Sequence, residues 1–272
     1  MKKILFSLIL LGISQLSFAQ EAANKKFQGG IVVGAGMNFQ NMGTKYVAKD
    51  GIGSDLLIGG NMNIMFTETV GLTTGVEFDF STSKYKPGSH PLYYYYDDTK
   101  IIGIKDYDKD PSSVSHIYTL SERKQRSTYL TVPTMLIFRT KFIGYFRYFG
   151  KFGMRHSFLL GQKSQDEGKT LDLHNASVGL VDAENKNMKG RNEMVFYKGS
   201  VGISGGAEWN FSGSTTLMAE IGYYYGITPL YYKRDNAYLF TVENDANGIP
   251  TRKAVSNKAT QGQLQLKVSI LF

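Results

Sequence analysis

Gln263-Leu264-Gln265-Leu266-Lys267-Val268-Ser269-Ile270-Leu271-Phe272 ends the chain with an apolar side chain at almost every second position. Side chains on a β-strand point alternately to opposite faces, so Leu264, Leu266, Val268, Ile270 and Phe272 share a greasy face. Gln263, Gln265, Lys267 and Ser269 share a polar one, and Leu271 alone breaks the rule. Period two held over about ten residues is the length of a tilted strand crossing a membrane.

Working upstream, the same alternation recurs over residues 215–226, 195–211, 145–158, 128–139, 70–80, 56–66 and 27–39. Leu217, Ala219, Ile221, Tyr223 and Tyr225 oppose Thr216, Glu220 and Gly222, and Val70, Leu72, Val76, Phe78 and Phe80 oppose Glu77 and Asp79. The first strand is the weakest, because Val32 interrupts its polar face. The total is eight. Connections alternate between about 3 to 4 residues near Thr67, Thr140 and Ser212 and roughly 14 to 43 residues elsewhere. Short turns at one end and long loops at the other, with an even strand number, define an outer-membrane barrel with both termini on the short-turn, periplasmic side. Closure follows from physics, since every backbone N–H and C=O inside a bilayer must be paired within the protein. A soluble sandwich or lipocalin-like barrel is the alternative, without a reason for all long loops to lie at one end.

Composition agrees. Apolar residues make up 42% and charged residues 20%, which excludes disorder, and 30 Gly, 18 Tyr and 17 Phe suit turning strands. The absence of Cys rules out disulfide scaffolds, thiolate metal sites and cysteine nucleophiles. A mean hydropathy of −0.23 excludes a helical membrane protein and is what alternating strands average to. Met1-Lys2-Lys3, the apolar run from Ile4 to Leu16 and Ser17-Phe18-Ala19 read as a signal peptide over residues 1–19, leaving residues 20–272 as one barrel domain. Cleavage there lowers the formal charge of +8 by the two units of Lys2 and Lys3. The remainder, divided between lumen and loops, makes no case for nucleic acid.

Eight strands enclose a lumen just wide enough to be filled by side chains. The parity of the strands sends Glu77, Asp79, Arg147, Lys151, Arg155, Lys198, Glu208, Glu220 and Lys267 inward. Glu220 and Lys267 are expected to pair across neighbouring strands, and Arg147 and Lys151 flank the strand of Glu208. A mutually neutralising plug and a narrow gated ion path are the two readings of such a set. Catalysis finds little support. His90, His116 and His174 lie in or near loops without triad spacing, and His156 faces lipid with Ser157 on the opposite side of its strand. Asp106, Asp108 and Asp110 begin like a calcium loop, but Pro111 and Ile117 stand where glycine and glutamate are needed. Gly34 and Gly36 begin a dinucleotide pattern that Phe39 ends. No enzyme activity, cofactor or metal is expected, although small barrels that modify lipid keep that class open.

Tyr93, Tyr94, Tyr95 and Tyr96, with Tyr231 and Tyr232, fall at or beyond the outer strand ends, where tyrosine settles at headgroup level. They read as an aromatic girdle or as a ligand surface. The echo between His90-Pro91-Leu92-Tyr93-Tyr94 and Thr228-Pro229-Leu230-Tyr231-Tyr232 fits either. Residues 114–126 also look strand-like, so the fourth strand is expected to project and offer a sheet edge to a partner. Basic loop residues Lys233, Arg234, Arg252 and Lys253 suit anionic lipopolysaccharide.

Tyr129-Leu130-Thr131-Val132-Pro133 on a central strand, a leader ending Phe18-Ala19-Gln20 and the terminal Phe272 together resemble the PorT-like outer-membrane barrels of the Bacteroidetes. Thr131 stands where that family's Tyr-Leu-Glu-Ile-Pro stretch carries its acid. The resemblance implies a small outer-membrane barrel, with Phe272 read by the assembly machinery and one branch tied to type IX secretion. The expectation is therefore an all-β, eight-stranded, antiparallel up-and-down barrel with a filled lumen. It acts as a structural, adhesion or accessory-subunit protein through extracellular loops, contacting outer-membrane lipid and a protein partner. A secretion or assembly factor and a narrow passive channel are the rival roles.

Overall fold

A computed structural model describes residues 26–175, 177, 179–190, 193–212, 215–232 and 237–272. The signal peptide, Lys233 and Arg234 lie outside them. Fourteen strands run in the order β1 (Phe27–Met42), β2 (Val47–Lys49), β3 (Gly53–Met65), β4 (Val70–Pro87), β5 (Leu92–Asp97), β6 (Lys100–Ile102) and β7 (His116–Arg139). They continue as β8 (Phe146–Asp172), β9 (Val181–Gly190), β10 (Tyr197–Ser212), β11 (Thr215–Gly226), β12 (Leu239–Asn244), β13 (Pro250–Val255) and β14 (Ala259–Leu271). Among the described residues one short α-helix, α1 (Ile104–Lys109), sits between β6 and β7.

The eight long strands form a ring. β1 pairs with β3, β3 with β4, β4 with β7, β7 with β8, β8 with β10, β10 with β11 and β11 with β14, all antiparallel. β14 returns to β1 from Gly30↔Leu271 to Met42↔Ala259, which closes the barrel and removes both sheet edges. The eight staves are those of the alternation pattern; the six other strands belong to the long loops.

Parity is obeyed around the ring. Ile31, Val33, Ile58, Phe78, Phe138, Phe152, Ile203, Ile221, Leu266 and Val268 all project from the outer surface. Asn38, Asn63, Thr73, Thr131, Ser157, Gln263 and Gln265 are buried in the lumen, joined by Val32. An apolar exterior around a polar interior inverts the usual soluble plan and is stable only against lipid. Exchanging Leu266, 61% exposed near the middle of β14, for Arg should therefore cost about 2–4 kcal/mol at mid-bilayer depth. Denaturant titration in lipid vesicles checks this, with Leu266→Ala expected to change stability far less.

Two local features serve the packing. Pro133 lies in β7 without an N–H to donate, and the β4–β7 ladder skips from Thr74↔Thr134 to Glu77↔Thr131. Gly206 faces inward where a Cβ would meet Ala219 O at 1.9 Å and the Phe149 ring at 2.8 Å, so only glycine leaves space for that ring.

The staves β7 and β8 run on well past the ring. The sequence pattern starts the fourth strand at residue 128 and ends the fifth at 158, because beyond lipid nothing demands an apolar outer face. The projecting hairpin is wrapped: β5 pairs with β7, β6 with β5, β9 with β6 and β8 with β9. A second, five-stranded ring thus stands on the first, sharing the β7–β8 hairpin. The exposed edge expected over residues 114–126 is covered by β5. Among the described residues unpaired edges belong instead to the three-residue β2, whose partner is β4 alone, and to β13, whose partner is β12 alone.

Candidate functional site

The buried charges of the two rings balance. Seven acids (Asp55, Glu77, Asp79, Asp166, Glu193, Glu208 and Glu220) and seven bases (Arg123, Arg139, Arg147, Lys151, Arg155, Lys198 and Lys267) are buried among the described residues. Isolated charges in such a place cost several kcal/mol each, so their pairing is the first question.

They pair in tiers. At the short-turn end, Glu208 takes both Arg139, at 2.8 Å, and Arg147, and Arg139 also donates to Gln28 at 2.9 Å. Halfway up, Lys267 donates to both oxygens of Glu77 at 2.8 and 3.0 Å. Arg155 Nη2 bridges Glu77 and Asp79 at 2.8 Å each, and Thr131 donates to Asp79 at 2.7 Å while sharing a 2.8 Å bond with Ser157. Lys151 binds Glu220 at 2.6 Å, and the Tyr224 ring lies 4.8 Å under the Arg155 guanidinium. Nearer the long-loop end, Asp55 receives Asn38 at 2.9 Å and Gln263 at 2.7 Å. Lys198 sits 4.3 Å over the Tyr129 ring and donates to Gln261 at 3.2 Å. The cavity between Glu77, Lys151, Glu220, Tyr224 and Lys267 measures about 10 Å³, at most one water.

All nine inward charges expected from the sequence therefore lie in the lumen, but not with the expected partners. Glu220 and Lys267 are opposite one another in the β11–β14 register, yet each reaches across to a different strand. Lys151 likewise passes Glu208 for Glu220. Both choices satisfy Glu77, which would otherwise share Arg155 with Asp79. Sequence reasoning missed Arg139 and Asp55. Both have a parity signal, since Arg139 falls in step with Met135 and Ile137, and Asp55 with Asn61 and Asn63.

Above the lumen the upper ring has its own charged centre. Arg123 makes a two-pronged bond to Asp166, at 2.7 and 2.8 Å, and donates to Glu193 at 3.2 Å and Tyr85 at 3.3 Å. Tyr94 donates to Asp166 at 2.7 Å and lies 5.0 Å beneath the guanidinium. Burial disfavours the Arg123 charge, but Asp166 and its neighbours hold the group protonated. Burial raises the carboxyl pKa of Glu193 above its ordinary value against the pull of Arg123. The Tyr94 hydroxyl is raised well above its usual value by burial and then by Asp166.

The tyrosines correct the girdle reading. Tyr94, Tyr95, Tyr96 and Tyr231 are buried rather than ringed around the membrane. Tyr94, Tyr96 and Tyr231 pack with Leu92, Tyr118, Leu120 and Leu239 in a core that stops the outer mouth of the lumen. Strand β5 is covered on both faces, so four tyrosines in a row fit it where an alternating pattern would not. Tyr93 is half-buried and stacks on Phe240 at 5.7 Å, and Tyr232 stays exposed. Tyr223 and Tyr225 do face outward, as does the cluster of Phe158, Phe196 and Tyr197. Arg252 and Lys253, expected to be free for anions, are engaged by Asp108 at 2.6 Å and Glu243 at 2.8 Å. Phe272 projects outward, its N–H bonded to Gly29 O at 2.8 Å. His156 lies on the outer wall, bonded to Tyr197 at 2.8 Å, with Ser157 turned into the lumen. Among the described residues no three acids or histidines converge as metal ligands.

A closed antiparallel ring with an apolar outside and a charged, packed inside is a transmembrane β-barrel of the bacterial outer membrane. Residues 18–232 match the outer membrane protein beta-barrel domain, and the chain belongs to that family. No curated protein matches it. Similar solved structures include the attachment invasion locus protein Ail of Yersinia pestis, at 11% identity over 91% of this chain and 100% of that one, with a TM-score of 0.32. OprG from Pseudomonas aeruginosa is 10% identical over 92% and 98%, with a TM-score of 0.38. Neisserial surface protein A is 10% identical over 91% and 98%, with a TM-score of 0.36.

Proposed function

We propose that the protein is exported by its leader, sits with both termini in the periplasm, and acts through the long-loop crown as a structural, adhesion or accessory-subunit protein. The carrying observation is the lumen: five buried acids and six buried bases fill it in tiers under a tyrosine-rich stopper, and the cavity among Glu77, Lys151, Glu220, Tyr224 and Lys267 holds about 10 Å³. Such a barrel is a rigid stalk, and what it can present is its crown. Purified protein in planar bilayers is expected to show no steady conductance; reproducible ohmic steps would overturn the filled-lumen reading.

Orientation has its own test, because the chain has no Cys and one introduced thiol is unambiguous. Asn247→Cys, exposed at the tip of the β12–β13 hairpin, should react with an impermeant maleimide on intact cells. Lys141→Cys, exposed in a short turn, should react only after the outer membrane is opened. The reverse pattern would invert the topology.

One observation favours the rival role in a secretion or assembly complex. The β12–β13 hairpin carries the free β13 edge with exposed Val242 and Ile249 beside it, a surface suited to an added strand. The PorT-like resemblance supports the same role. The acid missing at position 131 is supplied in the lumen by Asp79, which accepts the Thr131 hydroxyl. Recovery from native membranes in a stable complex that Ile249→Asp dissolves would favour it; recovery as a monomer would count against it.

A further inference from the structure

Strand β8 changes partners on its way out of the membrane, and the change leaves a gap. Its ladder to β10 ends at Phe158↔Tyr197, with a last bond from Leu159 N–H to Phe196 O at 2.8 Å. β9 joins only at Ser164. Between these points, among the described residues, Gln162 bridges the wall by a side-chain bond, Nε2 donating to Gly190 O at 2.8 Å. Leu160 is also an extra residue: Tyr129 faces Leu159 and Thr128 faces Gly161. A bulge at a barrel rim re-aims side chains, and Leu160 is turned outward, 56% exposed.

The gap opens into a cleft of about 660 Å³, within the range of small-ligand sites. Its floor is apolar, made by Leu159, Leu160, Met194 and Phe196. Its rim carries Lys100 and Lys189, which are register partners on β6 and β9. Both lysines are exposed, and among the described residues neither forms an ion pair. Two cations side by side repel unless something anionic lies between them. Directly beneath the cleft, Phe158 packs against Phe196 at 5.9 Å and Tyr197 at 5.6 Å, and Tyr197 bonds His156. Aromatic residues of this kind mark the headgroup level, so the apolar floor meets acyl chains and the lysines meet headgroups. A soluble anion would leave Leu160 and Phe196 bare, and a neutral apolar ligand would leave the lysines unmatched.

We propose that this cleft binds a phosphorylated amphiphile of the adjoining leaflet, with its phosphate between Lys100 and Lys189 and an acyl chain along Leu160 and Phe196. The choice of amphiphile rests on the orientation proposed above, under which the occupant is a lipid A-type glycolipid.

The test is native mass spectrometry of the full-length barrel in micelles doped with lipid A, with dephosphorylated lipid A and phosphatidylglycerol as comparators. One lipid A should be retained per barrel, and the dephosphorylated form should not. A lysine beside an anionic lipid contributes a factor of about five, so Lys100→Ala with Lys189→Ala should weaken retention about 25-fold. Leu160→Ser should weaken both phosphorylated lipids through the acyl contact. Undiminished retention in the double variant, or none in the wild type, overturns the site. Lysine-dependent retention of phosphatidylglycerol in preference to lipid A overturns the choice of occupant. Retention in micelles does not depend on topology, so failure here is distinct from an inverted labelling pattern on cells.

Discussion

Arg155→Met should destabilise the barrel by about 3–5 kcal/mol, the usual cost of removing one partner from a buried ion cluster. Arg155 is 1% exposed and, among the described residues, is the cation that pairs with both Glu77 and Asp79. Without it Glu77 keeps Lys267, but Asp79 is left with the Thr131 hydroxyl alone. Methionine fills much of the same volume, so the loss reports charge rather than a cavity. Asp79→Asn added to Arg155→Met removes the stranded charge while keeping an acceptor for Thr131. The double variant is therefore expected to recover part of the loss, a coupling of about 0.5–3 kcal/mol. Urea titration of protein refolded in micelles, followed by the shift of the folded band on unheated gels, measures both. Unchanged stability in Arg155→Met would mean that water solvates Asp79, and the lumen would then be wetter than its packing implies.

The same cluster shows what the sequence makes legible. Parity alone sends Glu77, Asp79, Arg155 and Lys267 inward, because period two is a property of each strand taken singly. Partner choice is a property of the closed ring. Lys267 lies opposite Glu220 along β14 and β11 but reaches Glu77 on β4, because a long side chain selects the oxygen that satisfies the whole set. That selection depends on closure and stagger, which no single strand encodes. Asp55 and Arg139 were within reach of the parity argument.

Most of the crown was beyond it. The extra residue Leu160 shifts the alternation on β8 just where that strand leaves the barrel, so parity counted up from the membrane sends Asp166 to the wrong face. Arg123 lies below the β7 bulge between Leu120 and Glu122 and keeps the inward step of Gln125, Ser127 and Tyr129, so its burial was within reach but its partner was not. Strand β5 fails for a different reason: covered on both sides, it has no solvent or lipid face to be polar or apolar. Its four consecutive tyrosines look interfacial in sequence and prove interior. Tyrosine suits that place, having a large apolar body and a hydroxyl that reaches Asp166 from Tyr94 and Thr170 from Tyr96.

Arg123→Met should open the crown while sparing the barrel. Arg123 is 0% exposed, and Asp166, Glu193, Tyr85 and Tyr94 all converge on it above the lumen. Its loss strands two buried acids, at a local cost of about 3–5 kcal/mol, or roughly a 100- to 4,000-fold rise in the open population. Among the described residues no hydrogen bond or ion pair joins these groups to the charged lumen tiers, so the folded band should persist on gels. Limited proteolysis should cut within residues 88–115 and 173–196 at least about 100-fold faster in the variant than in the wild type. Glu193 adds a pH dependence of known sign. Burial raises its pKa, so the folded crown binds a proton that the open crown releases. That contribution is fully present below the ordinary carboxylate range and is lost as pH rises through the raised value. Glu193→Gln keeps the shape and removes the titration. The ratio of wild-type to Glu193→Gln cleavage rates should therefore climb with pH above the ordinary carboxylate range and then level off. A ratio flat across that interval would mean that Arg123 neutralises Glu193 as completely as it does Asp166, and the pairing at 3.2 Å would outweigh burial.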